Sequence, residues 1–332
     1  MRVAFLINDF ASLVATQTTA MLIAAAAHKQ HTVYVLDVTS FSLTSKDSIL
    51  AQARQVKSTE AQSLEDMLTE LKASEVVTVD LAQCDVLMIR TNPARDQERQ
   101  WAHSVAMTFA RIIRARGVLV LNDPDGLMMA SNKLYLSCIP QQYRPTTFVS
   151  RDRMEIRHFV DSLDARCVLK PLQGSRGRDV FFVGPNERTN LNQIIDVLTR
   201  DGIAMVQEFV PEATSGDIRL VVMDGEILEH QGAIAAIARE PAKGDIRSNL
   251  HAGGKAKPPI ITEEMRQAVK AIGPQLVKDG LFLVGLDFIG NQIIELNVFS
   301  TGGFRDAERF TGQSFSDMVI DAMEKKRKEM LS

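Results

Sequence analysis

Apolar and polar positions follow two periods along the chain, and the switches between them divide it into regions. Short apolar runs at residues 3–7, 32–36, 86–89 and 118–121 predict buried strands. The Ala-rich stretch 16–28 and the long pattern 98–116 predict helices between them. Strand and helix in alternation imply a parallel α/β domain over residues 1–122. The stretch 39–79 is polar and fits neither period. The turn-rich Asn122-Asp123-Pro124-Asp125-Gly126 opens a second unit, 123–203, with a helical pattern to Cys138 and strands near 144–149, 168–172 and 180–183. The third unit, 204–332, begins with the strand 205–210, closing on Pro211. A hairpin turning at Asp224-Gly225 follows, then a helix 262–279 stopped by Gly280 and a last helix 314–331.

The stretch 285–303, GLDFIGNQIIELNVFSTGG, carries the most informative chemistry. An apolar run leads into Asp287, a Gly290-Asn291 turn follows, and the return strand presents Glu295 and Asn297 on one face. Two acids and an amide on apolar strands are costly to bury without a partner, and a divalent cation suits their hard oxygens. Register decides the matter. A plain two-residue loop sends Asp287 and Glu295 to opposite faces, whereas a three-residue loop or a bulge near Asn291 sets them directly across from each other. The alternative is an edge hairpin whose acids face water.

Composition adds limits. A chain of 332 residues with 45% apolar and 24% charged residues can bury a sizeable core, and a net charge of -3 gives no general attraction to nucleic acid or membrane. Cys84, Cys138 and Cys167 are few and widely spaced, which argues for a reducing compartment and against a zinc framework. The amino terminus reaches Asn8 and Asp9 too soon for a signal peptide, and residues 18–27 are too short to span a bilayer. A cytoplasmic protein is expected.

Other candidates are single residues or loops. The first strand ends in Asn8-Asp9 without the glycine fingerprint of dinucleotide folds. Arg90 follows a strand end, where it suits a substrate carboxylate or simply lies exposed. Lys170 leaves a strand ahead of Gln173-Gly174-Ser175-Arg176-Gly177-Arg178, an arrangement able to hold nucleotide phosphates. Arg219 is the only cation on its apolar strand. The polar loop 240–258, with Arg247, Asn249, Gly253 and Gly254, is long enough to be a lid or is a solvated loop without a role. The basic run Lys325 to Lys328 suits a helix carboxyl end and reads as a solvated face.

Taken in order, VLKPLQGSRGRDVFFV, DIRLVVMDGEIL, RSNLHAGG and GLDFIGNQIIELNV resemble the bacterial glutathione synthetases, members of the ATP-grasp carboxylate–amine ligases. The resemblance spans nearly the whole chain. It implies an α/β ATP-grasp fold, two lobes clasping ATP, behind an amino-terminal substrate domain. By matching position, Lys133 and Lys170 would meet ATP phosphates, Gln207, Glu208, Phe209 and Val210 would hold the adenine, and Asp217 would lie near the nucleotide. Asp287, Glu295 and Asn297 would hold magnesium, with manganese as a substitute. Arg219 would face the transferring phosphoryl group. Arg90, Arg247, Asn249, Gly253, Gly254 and Ser300 would meet the substrates, γ-glutamylcysteine and glycine. A homodimer or homotetramer is implied, with no nucleic-acid or membrane partner. Two alternatives remain: a ligase joining another carboxylate and amine, and a non-catalytic nucleotide-binding module.

Two departures bear on this. Arg176 replaces a glycine of the family's phosphate loop, and Phe299-Ser300-Thr301-Gly302-Gly303 stands where the family has Thr-Ser-Pro-Thr. Without the proline, the second loop is expected to be roomier and more flexible.

Overall fold

The computed structural model describes residues 1–57, 63–163, 165–172, 179–241 and 255–332. The loop 173–178, and with it Arg176, lies outside them, as do Arg247, Asn249, Gly253 and Gly254.

The first sheet holds β1 (Arg2–Ile7), β2 (Thr32–Asp37), β3 (Phe41–Leu43), β4 (Ile49–Gln55), β5 (Val76–Asp80), β6 (Val86–Ile89) and β7 (Leu119–Leu121). Its order is β3-β4-β2-β1-β6-β7, with β5 also on β4. Only β2-β1-β6-β7 is parallel. The polar stretch that matched neither period supplies the antiparallel edge β3, β4 and β5, together with helix α2 (Leu64–Ala73). Such an edge faces water on one side, so its strands lack the continuous apolar run that marks a buried parallel strand. Helix α1 (Thr18–His28) is buried on nearly every side, because Ala20 and Ala24 to Ala27 let it sit between neighbours. Helix α3 (Gln100–Ala115) covers the sheet with Ala102, Ala106, Ala110 and Ile113, and α4 (Pro124–Met129) starts on the Asp123 cap.

The second sheet is β8 (Thr147–Ser150), β9 (Cys167–Pro171), β10 (Phe181–Val183) and β11 (Ala204–Glu208), in the order β10-β9-β11-β8. Strand β11, assigned from sequence to the carboxyl-terminal unit, pairs with β8 and β9 and so completes this sheet. Helices α5 (Arg153–Ser162) and α6 (Leu191–Thr199) bury one face with Leu169, Val183, Ala204 and Val206. The period of two then directs Val168, Lys170, Met205 and Gln207 to the other.

The third sheet runs β17-β16-β12-β18-β19 in space, with β13 on β12. Its strands are β12 (Asp217–Met223), β13 (Glu226–Ile227), β16 (Ala236–Glu240), β17 (Lys255–Lys257), β18 (Leu283–Ile289) and β19 (Gln292–Asn297). A separate small ribbon pairs β14 (Glu229–His230) with β15 (Ala233–Ile234). Leu220, Val222, Val284, Leu286 and Phe288 pack against α7 (Glu263–Lys278), whose Thr262 cap and Gly280 stop fall where the pattern placed them. Val221, Ile237 and Leu283 turn the other way, towards α8 (Phe304–Thr311), α9 (Phe315–Leu331) and, through α9, α1.

Helix α9 ties the chain's two ends together. Lys29 pairs with Asp321 at 2.7 Å and His31 with Glu324 at 2.8 Å. The basic run is not wholly a solvated face: Lys326 pairs with Asp224 at 2.7 Å, and Arg327 donates to the Gly117 carbonyl at 2.6 Å. Among the described residues, no helix is long and apolar enough to cross a membrane.

Candidate active site

The hairpin β18–β19 meets the condition that its acids required, by a route between the two expected. Gly290, at φ +54°, opens a two-residue turn that pairs Ile289 with Gln292 and Phe288 with Ile293. The register then shifts, leaving Ile294 as the extra residue, and Asp287 stands opposite Glu295. The bulge therefore sits beyond the turn and not at Asn291. Ile293 keeps the α7 face through its pairing with Phe288, and the bulge brings Glu295 and Asn297 to the face of Asp287.

Asp287 is buried, and its neighbours are cations. Arg219, its cross-strand partner on β12, grips both oxygens: Nε donates to Oδ1, and Nη2 to Oδ2 at 2.8 Å. Arg239 on β16 donates to Oδ2 at 2.9 Å and forks onto Asp217 at 2.6 and 2.8 Å. The Asn297 amide adds a fourth contact at 3.2 Å. Burial opposes the Asp287 charge, but the two guanidinium groups outweigh it and hold the carboxyl well below its usual range. For Arg239, burial likewise opposes the charge, yet Asp287 and Asp217 raise its pKa. Arg239 was missed in the sequence because it lies outside every quoted motif, at the end of a strand whose register only the folded sheet supplies.

Two glycines make this arrangement possible. A Cβ on Gly285 would lie 2.8 Å from Arg219 Cδ and 2.1 Å from Thr301 Oγ1, so the bare strand is the bed on which both side chains lie. Gly216, at φ +110°, would bring a Cβ within 2.2 Å of the Arg239 carbonyl, and its absence lets Asp217 start β12 beside β16.

The opposite wall is the open face of the second sheet. Lys133 donates to the carbonyls of Pro171 and Leu172 at 3.1 and 3.4 Å. Burial pushes its ammonium down. Burial does the same to Lys170, to about 8, against the opposing field of Glu295 and with help from Lys133. Lys133 and Glu295 line one cleft of about 910 Å³, whose amino-terminal wall includes Asn92, Gln100 and His103. Gln207 is buried and donates to Thr147 Oγ1 at 3.0 Å, so its side chain is engaged inside the sheet. Glu208 is exposed, Val210 is half-buried, and the Phe209 ring stands edge-on to Phe182 at 6.0 Å with the Arg166 guanidinium 5.4 Å from its centroid.

Arg90 is not an exposed strand-end residue. It is 5% exposed and donates to Thr19 Oγ1 at 3.2 Å and to the Thr301 carbonyl at 2.7 Å. Burial lowers its pKa to about 10. It follows β6 beside the end of β1, where the order of the parallel strands reverses and open α/β sheets place their ligands. The loop 299–303 departs from expectation in the same place. Thr301 is 1% exposed and fixed by Arg90, Ser300 is half-buried, and only Gly302 has open space where a side chain would go. The hydroxyls of Thr18, Thr91 and Thr301 are buried there without a hydrogen-bond partner.

Among the described residues, no three His, Cys, Asp or Glu side chains converge. Asp287, Glu295 and Asn297 nevertheless share one face, and their oxygens are those that magnesium takes. The donor set fits a hard divalent cation.

Comparison with known proteins agrees with this layout. Residues 1–128 match the family model of the prokaryotic glutathione synthetase N-terminal domain, and residues 132–312 that of its ATP-grasp domain. A glutathione synthetase of Synechococcus elongatus is 33% identical over 98% of both chains. One of Gloeobacter violaceus is 32% identical over 97% of this chain and 96% of its own. Among solved structures, a D-cycloserine synthetase superposes with a TM-score of 0.64 at 15% identity, covering 97% of this chain and 99% of its own. The VanG D-Ala:D-Ser ligase of Enterococcus faecalis superposes with a TM-score of 0.59 at 13% identity, covering 98% and 99%. These two establish the fold alone. The two family models and the full-length relatives establish more: the chain belongs to the prokaryotic glutathione synthetase family, with the ATP-grasp fold.

Proposed function

We infer that this chain is an ATP-dependent, ADP-forming ligase that makes glutathione from γ-glutamylcysteine and glycine. The observation that carries the reading is the cleft itself, which Lys133 of one wall and Glu295 of the hairpin line together, with Lys170 in the field of both. Phosphoryl transfer needs positioning and charge neutralisation more than covalent help, and this arrangement supplies both.

In the reaction, a carboxylate oxygen of γ-glutamylcysteine attacks the γ-phosphorus of ATP, and ADP departs. The glycine amine then adds to the acyl carbon, and the tetrahedral intermediate expels inorganic phosphate, leaving the amide. Lys133 and Lys170 hold phosphate oxygens as point charges, while Arg219 offers a planar fork to the transferring group. Asp287, Glu295 and Asn297 would hold magnesium, which would offset the negative charge of the phosphates. The backbone of Gln207, with Glu208, Phe209 and Val210, borders the adenine, and Asp217 keeps Arg239 in place beside the nucleotide. Arg90 and Ser300 bind the dipeptide. Arg247, Asn249, Gly253 and Gly254 meet the substrates. The enzyme works in the cytoplasm as a homo-oligomer.

The test is ADP release by the purified protein. Turnover should require γ-glutamylcysteine, glycine and magnesium together. ADP formation with other carboxylates and amines, but none with this pair, overturns the substrate assignment. The observation favouring that second reading is the loop 299–303, where Thr301 and Gly302 alter the wall beside Arg90.

A further inference from the structure

Asp287 has more donors than its role as a ligand allows. Its Oδ2 alone receives Arg219 Nη2 at 2.8 Å, Arg239 Nη2 at 2.9 Å and Asn297 Nδ2 at 3.2 Å, while Oδ1 takes Arg219 Nε. A cation approaching this carboxylate would displace a donor and sit beside two guanidinium charges in a buried site, where repulsion is poorly screened.

The two arginines are not equally committed to Asp287. The Arg219 stem lies in the slot above Gly285 and both its bonds go to Asp287, whereas Arg239 is anchored to Asp217 through two bonds and reaches Asp287 through one. Arg239 can therefore give up Asp287 and remain paired. Phosphate oxygens are the natural alternative acceptors, since a planar guanidinium bonds phosphate and carboxylate in the same bidentate geometry.

We propose that Arg219 and Arg239 hold Asp287 closed to a free divalent cation, so that metal enters this site only with the nucleotide, whose phosphates draw the arginines off the carboxylate. The inference rests on the hairpin being the metal site. Arg239 is a positioning residue in this scheme: it acts on the metal through Asp287, with Asp217 as the pivot to which it falls back.

Manganese provides the probe, read by electron paramagnetic resonance of the full-length protein without turnover. Wild-type protein should bind Mn²⁺ alone weakly, and about tenfold or more tightly once a non-hydrolysable ATP analogue is present, after correction for Mn²⁺ held by the analogue in solution. Arg239→Gln should bind Mn²⁺ alone about tenfold more tightly than wild type and differ little from it once the analogue is added. A purely structural role for Arg239 would lower thermal stability without raising metal affinity. Mn²⁺ binding to wild type that is equally tight with and without the analogue overturns the proposal, as does an unchanged affinity in a folded Arg239→Gln. If that variant does not fold, the wild-type comparison decides alone. The metal-site reading is tested separately: if Asp287→Asn binds Mn²⁺ and analogue as wild type does, that reading falls and takes the proposal with it.

Discussion

The two walls of the site both present cations but treat their charge in opposite ways. On the third sheet, Arg219 and Arg239 are matched by Asp217 and Asp287, and the four groups close on one another. On the second sheet, Lys133 and Lys170 are pushed towards neutrality by burial, with Glu295 as the opposing field. One wall stores balanced charge; the other keeps charge that burial disfavours. An ammonium whose charge burial disfavours gains from a bound anion, and in the proposed reaction nucleotide phosphates supply one. The balanced wall has a different use, because its pairs can be exchanged for new ones.

The most direct way to break this contrast is to remove the proposed metal ligands. Glu295→Gln should abolish ATP turnover at saturating magnesium and leave the fold intact, since Glu295 is only half-buried. Asp287→Asn should abolish it too, but should also cost about 3–5 kcal/mol of stability, because it strands Arg219 in the interior. Normal turnover in the doubly substituted protein would remove the hairpin from the metal site.

Lys170→Met tests the other wall. ADP release should fall by about a thousandfold while the ligand-free protein becomes more stable, because the variant deletes a charge that burial disfavours. A drop in melting temperature would show that Lys170 is well compensated after all.

Arg219→Lys should lower kcat/KM by about a hundredfold or more, although charge is kept, since an ammonium cannot grip two oxygens in one plane. Near-normal kinetics would confine Arg219 to its ion pair.

The pH dependence follows from Lys170, whose folded value of about 8 lies below the ordinary 10.5. Nucleotide affinity should weaken as pH rises through about 8, as the free protein loses that proton. Stability of the ligand-free fold should move the opposite way. Between about 8 and 10.5 the unfolded chain binds more protons than the folded one, so stability rises with pH across that window. Isothermal titration of the ATP analogue from pH 7 to 9.5 checks the first statement, and a flat profile in wild type would contradict it.

The smallest effect belongs to Thr301→Val. The change removes a buried hydroxyl that has no partner, and should stabilise the protein by roughly 1 kcal/mol while raising KM for the dipeptide. A thermal melt and a substrate titration distinguish this from a loop that is merely loose.

Much of this was legible in the sequence, and the illegible parts have a common cause. The hairpin acids, the Lys170 strand, the Asn8 strand end and the helix that starts at Thr262 and stops at Gly280 are local patterns, readable from period and turn chemistry. The antiparallel edge β3–β5 was not, because strands solvated on one face carry a weak signal. The loop 299–303 misled for a related reason: its flexibility was judged from Gly302 and Gly303, while Thr301 is held by a residue 211 positions away.

By itself, then, the sequence determined which residue types reach one end of each strand, and that a three-residue loop or a bulge was needed to bring Asp287 across from Glu295. Tertiary structure alone decided where that bulge fell, that Arg239 would bridge Asp217 and Asp287, and that Arg90 would be buried under Thr301. Local patterns follow from backbone period and turn geometry, which a few consecutive residues specify. Pairings between strands far apart in the chain depend on which sheet faces are buried and in what register. Packing against α7 on one side and α8 and α9 on the other sets both, and no short stretch of sequence contains that information.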